Sequence, residues 1–251
     1  MAKTTKKKNK ISIFDVVNLI AMILVGLIML MPILNLVAKA FSSEGNVIAG
    51  KVLFWPLGFQ TGTIKYVLTT PEFSTSFLVT VTVTITGTIG AMLLTVMAAY
   101  PLSKPHLIGR KFFLYIFVFI MLFSAGMVPN YILFRTLHLT NTIFALIFSG
   151  MFSSFNLFLI KNYFETLPEV IEEAARIDGA SNMRIFFSVV LPMSTPVLAT
   201  VTLYYAVAYW SNYFAGVMYI TDANLKPLQQ YMFDLVTQAT SLQDSSGNFG
   251  D

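Results

Sequence analysis

The sequence predicts an all-α protein that lies in a membrane. Hydrophobic residues make up 56% of the chain and charged residues only 11%, which is too apolar for an ordinary soluble domain. Five uncharged stretches each reach the roughly 20 residues that a spanning helix needs. These are residues 16–38, 73–103, 112–134, 136–160 and 185–221. We therefore expect five transmembrane helices in a multi-pass protein of the cell membrane, which has lipid as a partner.

Details within these stretches refine the prediction. The first stretch exceeds the roughly 7–15 apolar residues of a secretory signal, so we interpret it as a retained span. Gly87 and Gly90 predict close helix packing in the second stretch, and Pro129 predicts a kink in the third. The last span should begin beyond Pro192.

Lysine and arginine residues predict the orientation of the chain. With the N-terminus inside, the three inner segments hold five, three and three of these residues, and the outer segments hold five in all. The inner excess follows the positive-inside rule. It places a basic N-terminus, residues 1–15, and the loop 161–192 in the cytoplasm, with a permease domain over 16–221 and an extracytoplasmic segment over 222–251. The net charge of +4 thus reflects topology and gives little support to a nucleic-acid partner.

The loop 161–192 contains a spaced motif whose first residues lie in a predicted amphipathic helix. The motif consists of Glu173, Ala174, Ala175, Gly179, Val189, Leu191 and Pro192. Thr166 and Glu169 have the spacing of a capping box, so the helix should start near Leu167 and end at Asp178-Gly179. At about 100° per residue, the apolar side chains share one arc of roughly 160°. They are Val170, Ile171, Ala174, Ala175 and Ile177.

The charged residues of this helix lie opposite its apolar arc, where Glu172 and Arg176 are spaced as an i,i+4 pair. A helix of about ten residues is not stable alone, so the arc needs a surface to pack on. That surface is a groove in a second protein or, alternatively, the bilayer or the chain's own bundle.

The spaced motif resembles the EAA loop of the inner-membrane subunits of binding-protein-dependent ABC importers. The span order is similar to that of the carbohydrate-type, maltose-transporter-like permeases, and the region 205–229 resembles the oligo- or polysaccharide-uptake group. The resemblance implies a second homologous permease, a pair of ATPase subunits that hold ATP and Mg, and an extracytoplasmic solute-binding protein that delivers a sugar or oligosaccharide. It also implies that the ATPase is contacted by Glu173, Ala174, Ala175, Asp178 and Gly179.

The chain departs from this family at its end. The six-span core of the family has a last helix after the outer segment, but no sixth apolar stretch follows residue 221 here. Either the sequence is truncated, or that helix is unresolved or dispensable. The fold expected for this chain is therefore five spans plus a short cytoplasmic coupling helix.

Several function classes are disfavoured by missing residues. The five stretches contain no Asp, Glu, Lys or Arg, which ion-coupled transporters usually carry near the midplane. The chain has no Gly-x-x-x-x-Gly-Lys-Ser/Thr loop, so ATP hydrolysis is expected on a separate subunit. His106 and His138 lack neighbouring carboxylates and metal-ligand spacing. We predict a non-enzyme with no catalytic residue, no metal and no cofactor of its own.

The last span offers a candidate substrate path. Tyr205, Tyr209 and Asn212 share one helix face. Aromatic rings stack on sugars while hydroxyl and amide groups hydrogen-bond them, so this face suits a carbohydrate. The alternative is an outer aromatic belt together with helix-packing contacts. A permease for another solute, such as a peptide, and a non-transport membrane scaffold or channel also remain open.

Overall fold

The computed structural model describes residues 13–247, and every regular element in this range is helical. The all-α prediction is therefore confirmed. The predicted basic segment 1–15 lies almost entirely outside the described residues. Contacts divide the chain into two compact units, one ending at Thr70 and one beginning at Pro71.

The first unit contains one long apolar helix and a short folded segment. Its helices are α1 (Ile13–Ala40), α2 (Glu44–Ile48) and α3 (Gly62–Thr69). α1 is long and apolar enough to cross a membrane. The Asn35 side chain donates hydrogen bonds to the carbonyls of Val52 and Leu53, at 3.1 and 2.7 Å. The segment after α2 thus turns back along the end of α1.

The second unit is a bundle built around its longest helix. Its elements are α4 (Pro71–Ser103), α5 (Arg110–Leu122), α6 (Met127–Thr136), α7 (Ile143–Phe148), α8 (Ser154–Glu165), α9 (Glu169–Ile177), α10 (Asn182–Ile185), a π-helical turn (Phe186–Val190), α11 (Leu191–Met193), α12 (Thr195–Trp210), α13 (Tyr213–Tyr219), a 3-10 turn (Ala223–Leu225) and α14 (Leu228–Gly247). α4 packs mainly against α8 and α12. Its buried small and β-branched residues, such as Ala91 and Val83, allow this close packing.

The number of five spans is not confirmed. By length and composition α1 and α4 can each cross a membrane, and the total reaches four if each of two bent helix pairs is one span. α5 and α6 are bent by 111°, and the helix ending at Met193 is bent by 81° from α12. The predicted fourth span, 136–160, is divided into α7 and α8 by a break at residues 149–153.

The bends arise where the sequence interrupts regular helix. Between α5 and α6, Gly126 adopts a φ of +85°, which side chains disfavour. Pro129, expected to kink this span, instead lies in the first turn of α6, where its missing N–H costs no helical bond. The second bend lies at Ser194, just before Pro196 in the first turn of α12. α12 begins at Thr195, beyond Pro192 as predicted.

A helix over the predicted extracytoplasmic segment 222–251 was missed. α14 covers Leu228–Gly247, and its first N–H donates to Thr80 Oγ1 of α4 at 2.7 Å. Its Leu228, Tyr231, Met232 and Leu235 recur at the i, i+3, i+4 and i+7 spacing of an amphipathic helix. The signal was present in the sequence, but the segment is too polar to stand out as a span.

Candidate functional site

The first residues of the spaced motif, Glu173 to Ala175, lie in α9. The N-terminus of this helix differs from the sequence prediction, and its C-terminus agrees with it. Thr166 Oγ1 donates to Tyr163 O at 2.7 Å, at the end of α8, and Pro168 occupies the N-cap of α9 without a side-chain bond. The predicted capping box is therefore wrong, and the helix starts at Glu169. The predicted end is confirmed, since Gly179 has a φ of +80° and its N–H donates to Arg176 O at 3.0 Å.

α9 exposes its apolar arc. Val170 is 72% exposed and Ile177 is 87% exposed. The buried residue of this helix is instead a charged one, Glu172, which is 7% exposed. Among the described residues most of the apolar arc is thus exposed, and Ala175 is its one member that is half-buried against the core. Of the charged residues of α9, only Glu172 is buried.

The buried carboxylate of Glu172 is paired with a cation from α4's end. Both of its oxygens accept hydrogen bonds from Lys104 Nζ, the Oε2 bond being 2.6 Å long. This ion pair joins residues 68 positions apart. The predicted i,i+4 pairing of Glu172 with Arg176 is thus replaced by a long-range pair, because the cation of Lys104 reaches the inward side of α9.

A second ion network lies on the same side of the bundle. Glu165, at the end of α8, is paired with both Lys161 and Arg110. The Arg110 Nε also donates to Leu102 O at 2.8 Å. Arg110 begins α5, so this network joins the ends of α4, α5 and α8 next to α9.

The five residues predicted to contact an ATPase lie together at the C-terminal half of α9 and its cap. Glu173, Ala174, Asp178 and Gly179 are exposed, and Ala175 is half-buried against the core. Apart from its chain neighbours, no atom of residues 13–247 lies within 4 Å of where a Cβ of Gly179 would stand. This end of the loop therefore presents small, open positions that a partner can approach closely.

The two tyrosines predicted for the substrate path lie inside the bundle. Tyr205 is 2% exposed, and its hydroxyl lies 2.7 Å from Thr95 Oγ1 and accepts the Ser153 N–H at 3.1 Å. Tyr209 is 4% exposed and donates to Ile147 O at 2.7 Å. These bonds tie α12 to α4, to α7 and to the break between α7 and α8.

Two glycines make room for the Tyr209 ring. A Cβ added at Gly87 would lie 2.5 Å from Tyr209 Cζ, and one at Gly150 would lie 3.1 Å from its Cε1. The predicted close packing at Gly87 is confirmed. At Gly90 the nearest atom would be the flexible end of Met151, at 2.7 Å. We call Gly87, Gly150, Tyr205 and Tyr209 the tyrosine–glycine seam.

Asn212 has a different role from the residues of this seam. Its Oδ1 accepts the Ala215 N–H at 3.1 Å and so caps α13. It also lines a cavity of about 190 Å³. The other lining residues are Met127, Asn130, Ser149, Phe214, Ala215, Met218 and Tyr219. Of the three predicted path residues, Asn212 is the one that lines this space.

A bundle of long and bent apolar helices, together with an amphipathic helix that leaves Val170 and Ile177 exposed, is typical of an integral membrane component. The family model for binding-protein-dependent transport system inner membrane components matches residues 91–247. The chain belongs to this family and is a permease component, not an enzyme itself.

Relatives and a solved structure agree with this assignment. The chain is 38% identical to Protein LplC of Bacillus subtilis over 239 residues, 95% of this chain and 80% of that protein. It is 35% identical to the polygalacturonan/rhamnogalacturonan transport system permease protein YtcP of Bacillus subtilis, over 97% of this chain and 84% of that protein. The structure of a bacterial ABC transporter involved in the import of the acidic polysaccharide alginate matches with a TM-score of 0.83 and 34% identity, over 91% of this chain and 81% of that chain.

Proposed function

We propose that the chain forms one half of the path of an ATP-driven importer for an oligosaccharide or an acidic polysaccharide fragment. The observation that supports docking of an ATPase is the outward apolar arc of α9, which leaves Val170 and Ile177 exposed next to the open cap at Gly179. The carbohydrate class is supported by the similarity to permeases and a transporter named for polygalacturonan, rhamnogalacturonan and alginate.

In the proposed assembly, other subunits hydrolyse ATP and deliver the substrate. A pair of ATPase subunits binds ATP and Mg, a second homologous permease completes the path, and an extracytoplasmic solute-binding protein delivers the sugar. Closure of the ATPase domains during phosphoryl transfer moves a docked rigid helix, and the helix moves the bundle. In this mechanism the chain itself docks the ATPase, transmits its movement to the bundle and forms one wall of the substrate path.

Coupling through the loop is tested at Gly179. Gly179→Trp places a large side chain in the open space at the α9 cap, so we expect uptake to be abolished while the permease remains in the membrane. Gly109→Trp is the matched control, because Gly109 is also exposed and has a φ of +77°. Both variants suffer the strain of positive φ, but only the first blocks docking. Normal uptake with Gly179→Trp would contradict the proposal.

The substrate class is tested on the assembled importer. Hydrolysis of ATP by the complex in nanodiscs, with its solute-binding protein, is measured with galacturonan and alginate oligosaccharides and with tripeptides. Stimulation by an oligosaccharide supports the proposal. Stimulation by peptides alone identifies a permease for another solute, and failure to retain any ATPase supports a scaffold or channel.

The orientation is proposed from the charge distribution, with the N-terminus and α9 in the cytoplasm. The sequence contains no cysteine, so single cysteines report sidedness cleanly. Ile177→Cys should resist an impermeant thiol reagent in intact cells, whereas Trp55→Cys, 81% exposed in the first unit, should react. Ser12→Cys should be protected as well. Labelling of Ile177→Cys without lysis would reverse the proposed topology.

Of the three residues predicted for the substrate path, Tyr205, Tyr209 and Asn212, we propose Asn212 as the one that meets the substrate in this conformation, because it lines a cavity. Its cavity of about 190 Å³ is smaller than the roughly 300–1,000 Å³ of most ligand sites, as expected if the second permease supplies another wall. Asn212→Ala should lower transport per assembled complex. The phenols of Tyr205 and Tyr209 are used by protein groups in this conformation, so their variants test packing and transport together.

A further inference from the structure

Docking of an ATPase on the exposed face of α9 does not account for the ion pair between Lys104 and the buried Glu172. Glu172 is the buried residue of α9, and both its carboxylate oxygens bond to Lys104 Nζ. A buried charge is costly unless it is paired and hydrogen-bonded. On the inward side of α9, the Glu172 carboxylate is therefore held by one specific cation, and the half-buried Ala175 packs on the core nearby.

Lys104 follows directly after α4 and lies beside an aromatic cluster. Its Nζ stands 4.8 Å from the centroid of the Tyr100 ring, one turn earlier. The Tyr100 ring lies 6.2 Å from Phe164 and 4.7 Å from Phe186, centroid to centroid. Phe164 belongs to α8, before the coupling helix, and Phe186 to the π-helical turn after it. The last turn of α4 thus contacts α9 and both of its flanking segments.

We propose that Lys104 and Glu172 are the positioning pair that transmits displacement of α9 to α4. This inference rests on the proposed docking of an ATPase at α9. An exposed ion pair would contribute little, but here the carboxylate is buried, and breaking such a pair leaves an uncompensated charge. α4 packs against α8 and α12, so a displacement that reaches Lys104 spreads through the bundle.

The test compares charge reversals in the purified importer complex with its ATPase bound. Lys104→Glu, Glu172→Lys and the double exchange are prepared, with Lys226→Glu as the matched control. Lys226 forms a 2.6 Å pair with Asp234 elsewhere in the bundle, and its variant makes the same charge change as Lys104→Glu. Hydrogen exchange over residues 96–104 and 169–177 is measured without nucleotide and with ATP plus vanadate, together with the amount of ATPase retained.

In the wild type and in Lys226→Glu, ATP plus vanadate should change exchange in both segments. Each single reversal at the pair should keep the ATPase and the response at 169–177 but lose the response at 96–104, and the double exchange should restore it. An unchanged response at 96–104 in the single reversals, no response there in the wild type, or no rescue by the double exchange would overturn the inference. Loss of the ATPase from the wild type would instead refute the proposed function on which it rests.

Discussion

The coupling helix and the tyrosine–glycine seam use their side chains in opposite ways. α9 buries a charge and leaves Val170 and Ile177 exposed, whereas the seam buries two phenols that each form hydrogen bonds inside the bundle. A surface that keeps apolar groups outward is typical of an interaction site. A seam whose polar groups are all engaged is complete by itself. The contrast separates the helix that we propose to dock an ATPase from an element that packs inside the same chain.

The largest effect on the seam is expected from Tyr209→Ala. Truncating a buried aromatic side chain leaves a cavity and costs about 3–5 kcal/mol, and here it also leaves Ile147 O without its donor. The thermal unfolding midpoint of the purified permease should fall, and assembly should fall with transport. A variant that assembles fully but transports poorly would assign Tyr209 to the sugar path instead.

A smaller effect is expected from filling the space beside the Tyr209 ring. Gly87→Ala should cost about 1–3 kcal/mol by overpacking, because the new Cβ would meet a ring held by two helices. Gly90→Ala is the matched control on the same helix, since the end of Met151 can move away. Differential scanning calorimetry of both variants should show the larger loss of thermal stability for Gly87→Ala. Equal losses of thermal stability would mean that Tyr209 packs no more tightly against Gly87 than Met151 packs against Gly90.

The smallest effect on the seam is expected from Tyr209→Phe. This change keeps the ring and removes one hydrogen bond, which costs about 1 kcal/mol. Stability should fall slightly and transport per assembled complex should stay at the wild-type level. A selective loss of transport would show that the hydroxyl serves the substrate rather than Ile147.

The sequence was sufficient for features set by local pattern. α1 and α4 follow from long apolar runs, and the end of α9 follows from Gly179, whose φ of +80° suits glycine. The breaks in the predicted third and fourth spans could not be placed, because hydropathy measures burial in lipid and not helix continuity. Residues 123–126 and 149–153 are as uncharged as the rest of the predicted spans in which they lie, 112–134 and 136–160.

The sequence predicted the candidate site only in part, because a local pattern does not show tertiary contacts. Amphipathicity identifies the two faces of α9 but not which one points inward, and the Lys104–Glu172 pair spans 68 positions with no local signal. α12 is apolar all round, so the sequence could not show that the faces of Tyr205 and Tyr209 turn toward α4. These features depend on tertiary packing.

The most direct measurement of the docking role of α9 is the affinity of the purified ATPase for the permease in nanodiscs carrying Ile177→Glu. The control is Ile108→Glu, because Ile108 is 92% exposed on the connection between α4 and α5 and Ile177 is 87% exposed. Burial of an isoleucine side chain contributes about 1.5–3 kcal/mol, so Ile177→Glu should weaken binding by roughly 10–100-fold, while Ile108→Glu leaves it near wild type. Equal affinities for the two variants would contradict the assignment of α9 as the docking helix.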